Sequence, residues 1–152
     1  MILFAEYSFD DAFLLKRAFR RLDAPIRIEH VKDGDEVIAF LGGLQISKSA
    51  ASELPRLLLL DIKMPGCNGF DVLRWRQENP LWVRLPTIIF SSSAEERDVV
   101  KAYELGANSY AVKPCTLEGY TKFAEAVSLW WMDQNFAPGT EAKRPFTLAR
   151  GY

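Results

Sequence analysis

The chain has 152 residues, with 19 Lys and Arg against 20 Asp and Glu and a formal net charge of -1. That length suits a single domain with one hydrophobic core, and the balanced charge excludes a bulk basic field that would gather nucleic acid or an anionic membrane surface. Cys67 and Cys115 lack any Cys-x-x-Cys or Cys/His ligand spacing, which excludes a disulfide framework and a structural zinc site.

In chain order, short apolar runs alternate with amphipathic stretches, the pattern of βα units on a parallel sheet. Ile2 to Ala5 reads as the first strand. It follows Met1 directly, with no basic leader segment, so the chain is expected in the cytoplasm. On the first helix Ala12, Leu15, Phe19 and Leu22 share one face, leaving Lys16, Arg17, Arg20 and Arg21 toward water. Ile26 to Val31 reads as the second strand. Val37, Phe40, Leu41 and Leu44 form the face of a second helix, with a break expected at Gly42-Gly43. Gln45 to Pro55, rich in Ser and Ala without periodicity, is expected as a surface loop.

Leu57 to Leu60 and Thr87 to Phe90 are nearly all apolar, as central strands covered on both faces should be. Such runs also fall far short of the roughly 20 residues needed to cross a membrane as a helix. Between them, a third helix after Gly69 places Phe70 and Leu73 on one face, puts Arg76 where the next buried residue is expected, and ends near Asn79-Pro80. Ser92 or Ser93 stands where it can cap a fourth helix beginning near Ala94-Glu95-Glu96. Ser109 to Val112 reads as the fifth strand, and Leu117, Tyr120, Ala124, Val127 and Trp131 line the last helix. Beyond Asn135 the composition turns to Pro, Gly, Thr and charge. Residues 1–134 are therefore expected to form the domain, and 135–152 a tail, flexible or docked through Phe136, Phe146 and Leu148.

Right-handed crossovers and helices on both faces leave five parallel strands few topologies, of which the flavodoxin-like, doubly wound α/β order 2-1-3-4-5 is the common one. Ligands bind such sheets beyond the carboxyl ends of the strands, which singles out Glu6, Asp61, Ser91 and Lys113. A carboxylate there can attack a phosphoryl group if cations offset the developing charge. Lys113 supplies a point charge and Ser91 a hydroxyl donor. Glu6, Asp61 and the backbone carbonyl of Lys63 offer the oxygen ligands that magnesium prefers.

The run Leu57-Leu58-Leu59-Leu60-Asp61-Ile62-Lys63-Met64-Pro65-Gly66-Cys67-Asn68-Gly69 resembles the phosphoacceptor segment of response-regulator receivers. Ile88-Ile89-Phe90-Ser91-Ser92-Ser93-Ala94 and Tyr103-Glu104-Leu105-Gly106-Ala107-Asn108-Ser109-Tyr110-Ala111-Val112-Lys113-Pro114 resemble that family's fourth strand and Lys-Pro end of the fifth. The likeness covers about residues 1 to 132, and receivers are themselves a known instance of the 2-1-3-4-5 order. It is nearest to single-domain receivers that serve phytochrome-like sensor kinases, through Val31-Lys32-Asp33-Gly34-Asp35-Glu36 and the serines at 91 to 93.

The resemblance implies a non-enzymatic response regulator in which Asp61 accepts phosphate from a kinase histidine. It implies that Ser91 and Lys113 register the phosphate, that Tyr110 rotates as the switch aromatic, and that a cis bond precedes Pro114. Partners implied are a sensor histidine kinase, an unnamed downstream protein and a second copy of the chain, docked through Tyr103, Tyr110, Trp130 and Trp131.

The sequence departs from the family at one point. Most receivers follow the first strand with two adjacent acids, whereas here Glu6 is followed by Tyr7. A phenol of pKa about 10 stays protonated at neutral pH and is a poor ligand for a hard cation, so weak magnesium binding is expected. Asp10 or Asp11 can contribute through water, although favourable charge in the first turn of the helix is the favoured reading of both. The alternative function is a degenerate receiver that binds partners without phosphorylation. An aspartyl phosphatase of the haloacid-dehalogenase kind is disfavoured, because Lys63 stands where its second acid is required.

Overall fold

Residue-by-residue alternation along the strands decides the architecture. The computed structural model describes residues 1–24, 26–47 and 54–135. Every residue of β1 (Ile2–Ala5), β3 (Leu57–Leu60) and β4 (Thr87–Ser91) is buried, as strands covered on both faces must be. Leu3, Ala5, Leu58, Leu60 and Ile89 enter one core, while Ile2, Phe4, Leu57, Leu59, Ile88 and Phe90 enter the other. With β2 (Ile28–Val31) and β5 (Ser109–Val112) at the edges, all pairs are parallel and the order is β2-β1-β3-β4-β5. The expected flavodoxin-like fold is the one observed.

Helices α1 (Phe9–Arg20) and α5 (Leu117–Val127) cover one face, supplying Ala12, Leu15, Ala18 and Phe19 from one and Tyr120, Ala124 and Val127 from the other. Helices α2 (Gly34–Ser47), α3 (Gly69–Glu78) and α4 (Glu96–Glu104) cover the opposite face. A π-helical extension, Ser128–Gln134, continues from α5. Among the described residues no helix is long and apolar enough to cross a membrane.

β4 runs one residue past its expected end, through Ser91, and three further boundaries differ from expectation, each for a local reason. The second strand pairs only from Ile28 rather than Ile26, because β1 begins at Ile2 and that residue is its register partner. Helix α2 runs through Gly42-Gly43 to Ser47, so the expected break is absent and the loop begins later than Gln45. Each glycine costs about 1 kcal/mol relative to alanine, but buried Val37 and Leu41, with Phe40 and Leu44 packed on the same core, hold the helix across them. Residues 48–53 of the expected loop, and the tail from Phe136 with Phe146 and Leu148, lie outside the described residues.

The third difference is at α4, where Glu95 rather than Ser92 or Ser93 is the N-cap and makes no side-chain cap bond. Ser93 still serves the helix start, its hydroxyl donating to Asp98 Oδ2 at 2.6 Å and accepting from Glu95 N at 3.4 Å.

Arg76, which interrupts the apolar face of α3, is itself buried. Its guanidinium donates to the carbonyls of Leu85 and Gly106 and, at 3.0 Å, to Thr87 Oγ1. It ties α3 to the start of β4 and to the turn before β5. Burial pushes its pKa down.

Candidate functional site

The parallel ladder carries on past the strands and fixes the site's backbone. Glu6 N donates to Val31 O at 3.0 Å, Asp61 N to Ala5 O at 3.1 Å and Lys113 N to Ser91 O at 2.8 Å. Glu6 and Asp61 are thereby set side by side at the carboxyl ends of β1 and β3, where the strand order reverses. The loop after Asp61 is closed by Gly69, whose amide donates to Ile62 O at 3.2 Å. A Cβ at Gly69 would lie 2.3 Å from Asp61 O, so only glycine lets α3 begin this close. Asn68 caps that helix through a capping box with Asp71.

Lys113 reaches back over the sheet edge, and its Nζ sits among three carboxylates. It donates to Asp61 Oδ2 at 2.9 Å and to Asp11 Oδ2 at 2.9 Å. It also stands 2.6 Å from Glu6 Oε2, a charge contact without hydrogen-bond alignment. The Lys113, Glu6 and Asp61 side chains are 7%, 1% and 4% exposed, so these charges act with little screening by water.

Burial alone would lower the Lys113 pKa, but the carboxylates of Glu6, Asp61 and Asp11 outweigh it and hold the ammonium above the ordinary lysine range. Burial pushes the Glu6 carboxyl up, with Asp61 adding to the shift and Lys113 only partly opposing it. For Asp11 burial also works upward, yet Lys113, Tyr120 and Ser8 together bring its pKa below the ordinary value.

The remaining expected residues divide. Ser91 is buried at the end of β4, its Oγ accepting from Ser93 N at 3.5 Å, and it takes no part in the lysine cluster. Lys63 touches Asp61 through its amide, which donates to Oδ1 at 3.2 Å. Tyr110 donates its hydroxyl to Ser93 O at 2.9 Å on the α2-α3-α4 side. Tyr7 is 62% exposed and brings no group to the cluster. Tyr103 and Trp130 are exposed, whereas Trp131 packs partly against the α1/α5 core, as expected of adjacent helical residues.

The bond before Pro114 is trans, which corrects the expectation of a cis peptide. Trans is the favoured isomer for X-Pro, and Lys113 meets its three carboxylates from it.

Asp11 and Tyr120 were the residues least anticipated here. Asp11 sits at the third position of α1, behind its N-cap Ser8, and accepts from Tyr120 Oη at 3.0 Å through Oδ1. The available signal was Tyr120 itself, since a tyrosine on a buried helix face needs a partner for its hydroxyl.

A hard cation finds suitable ligand types in Glu6 and Asp61, and Glu6 Oε2 is a buried oxygen without an aligned donor. Among the described residues, however, no group of three acidic, imidazole or thiol side chains is placed to hold a metal ion, and the three carboxylates of the cluster meet on Lys113 instead. Position 7 offers no third ligand.

Comparison with known proteins agrees with this geometry. The model for the response regulator receiver domain matches residues 3–125. The chain is 30% identical to a probable methanogenesis regulatory protein, FilR2 of Methanothrix harundinacea, over 91% of this chain and 88% of the relative. Its fold is similar to the phosphorylated cyanobacterial phytochrome response regulator RcpA, with a TM-score of 0.80 at 26% identity over 90% of this chain and 96% of that one. It is also similar to the Mn(2+)-bound form of response regulator Rcp1, with a TM-score of 0.78 at 28% identity over 90% and 97%. A match that takes in every strand and the whole charged cluster means that this chain belongs to the response regulator receiver domain family.

Proposed function

We propose that the chain is a single-domain response regulator of a two-component phosphorelay, with Asp61 as acceptor and residues 1–134 as the working unit. The observation that carries this reading is the buried Asp61 carboxylate at the end of β3 with the Lys113 ammonium on its Oδ2. In the transfer, an Asp61 oxygen attacks the phosphorus of a phosphohistidine as the P–N bond breaks. The imidazole retains that electron pair and takes a proton from solvent. Lys113 offsets charge on the phosphoryl oxygens, and Ser91 offers them a hydroxyl donor. Magnesium, when bound, would add charge compensation, with Glu6, Asp61 and the Lys63 carbonyl as its holders and a low affinity set by Tyr7.

Likeness to phytochrome response regulators supports a phytochrome-like sensor histidine kinase as the upstream partner. Output is assigned to protein contacts, with a homodimer formed through Tyr103, Tyr110, Trp130 and Trp131. Transfer from a labelled phytochrome-type kinase tests the reading: label should pass to the chain and not to Asp61→Ala. Failure with both proteins would count against it.

Exposed Tyr7 favours one second reading, a receiver that engages partners without phosphorylation. Millimolar magnesium separates the two. The phosphorelay reading expects a weak change in Trp fluorescence that strengthens in Tyr7→Asp. The second reading expects none from the natural chain.

A further inference from the structure

Asp11 and Tyr120 take no part in the transfer proposed above, yet two hydrogen bonds tie them to its cation. Lys113 Nζ donates to Asp11 Oδ2 at 2.9 Å, and Tyr120 Oη donates to Asp11 Oδ1 at 3.0 Å. One carboxylate therefore has one oxygen on the site and the other on helix α5. Tyr120 is 2% exposed and meets Phe90 edge-on at 5.9 Å, within the core between the sheet and the α1/α5 layer. Tyr110 packs on the other side of the sheet and gives its hydroxyl to a backbone carbonyl.

We propose that Asp11 is a positioning residue that couples the charge state of the acceptor site to α5 through the chain Lys113–Asp11–Tyr120. Tyr120 is then a second reporter, on the face of the sheet opposite Tyr110. An ammonium has three hydrogens, and here three carboxylate oxygens lie at 2.6, 2.9 and 2.9 Å from it. A phosphoryl group on Asp61 replaces the single carboxylate charge with close to two, a net gain of about one negative charge, and brings three acceptor oxygens, so Lys113 cannot keep every partner. Asp11 is the one to go. Its side chain is 31% exposed, against 1% for Glu6 and 4% for Asp61, so water can replace the ammonium there at least cost. Without Lys113, Asp11 becomes a stronger acceptor for the Tyr120 hydroxyl. The junction of α1 and α5 adjusts, and the extension bearing Trp130 and Trp131 follows.

The phosphate-driven half of this coupling rests on the Asp61 reading; the coupling itself does not. Backbone amide NMR on the full chain tests it in Lys113→Met, Tyr120→Phe and the double variant. Lys113→Met should shift the amides of Leu117–Val127, and in the Tyr120→Phe background it should shift them roughly half as far or less. Shifts of equal size in both backgrounds, or no α5 response, would overturn the coupling.

Beryllium fluoride with magnesium, added to the natural chain and to Tyr120→Phe, supplies a second arm should Lys113→Met fail to fold. Shifts at Asp61–Lys63 in both proteins, with α5 responding only in the natural chain, support the coupling. An α5 response in both contradicts it. Silence at Asp61–Lys63 in both counts against the Asp61 reading instead, and Asp11→Asn then decides the coupling: its shifts at Leu117–Val127 should shrink in the Tyr120→Phe background, and equal shifts in both backgrounds would overturn it.

Discussion

Three carboxylates around one ammonium leave the cluster net negative, and the cost falls on Glu6, the most buried of them. Burial disfavours its ionised form, so the folded chain holds that proton more tightly than the unfolded chain does. Stability should therefore decline as pH rises from the ordinary glutamate value of 4.5 through the raised folded value. Urea unfolding between about pH 4.5 and 7 should show this decline, and Glu6→Gln should flatten it; an unchanged slope would assign it elsewhere. Arg76 poses the opposite problem, a buried cation whose partners among the described residues are all neutral. Arg76→Met should destabilise by about 1–3 kcal/mol, because the half-buried Gly106 carbonyl loses its donor and the Leu85 carbonyl keeps only the Thr87 hydroxyl. Equal or higher stability in denaturant would mean that desolvation of the guanidinium outweighs those bonds.

Single residues were legible in the sequence where a strand end placed them. Glu6, Asp61, Ser91 and Lys113 each follow or end an apolar run, and the structure puts each at the same end of the sheet. Asp11 was read chiefly as helix charge because periodicity reports which face a residue occupies, not whether its carboxylate reaches a lysine from a distant strand. Arg76 looked like an error in the apolar face for a related reason: its partners, Leu85, Thr87 and Gly106, come from other segments.

At the scale of elements, the start of α3 controls the geometry of the loop after Asp61. Asn68→Ala removes a side-chain acceptor from Phe70 N and Asp71 N and should cost about 1 kcal/mol by thermal or urea unfolding. Gly69→Ala should cost more and also move the Asp61 amide resonance, because its Cβ meets Asp61 O at 2.3 Å. A variant as stable as the natural chain would show that the loop yields easily. Strands were legible because their apolar runs are short and bounded; α2 was not, because local glycine chemistry argued for a break that packing on Val37 and Leu41 overrides.

For the molecule as a whole, handedness and two-sided burial left few strand orders, and the receiver resemblance pointed to the same one, which is why the topology could be anticipated. Assembly is less constrained by such rules. Exposed Tyr103 and Trp130 support a dimer through this surface, and sedimentation should show a dimer that Trp130→Ala weakens. A monomer at all concentrations would remove that part of the proposal. The central claim remains the acceptor role of Asp61, and intact-mass measurement after incubation with magnesium and a small phosphoramidate donor tests it most directly. The account predicts a gain of one phosphoryl group by the natural chain and none by Asp61→Ala. An equal gain by Asp61→Ala, or no gain by either the natural chain or Tyr7→Asp, would contradict it.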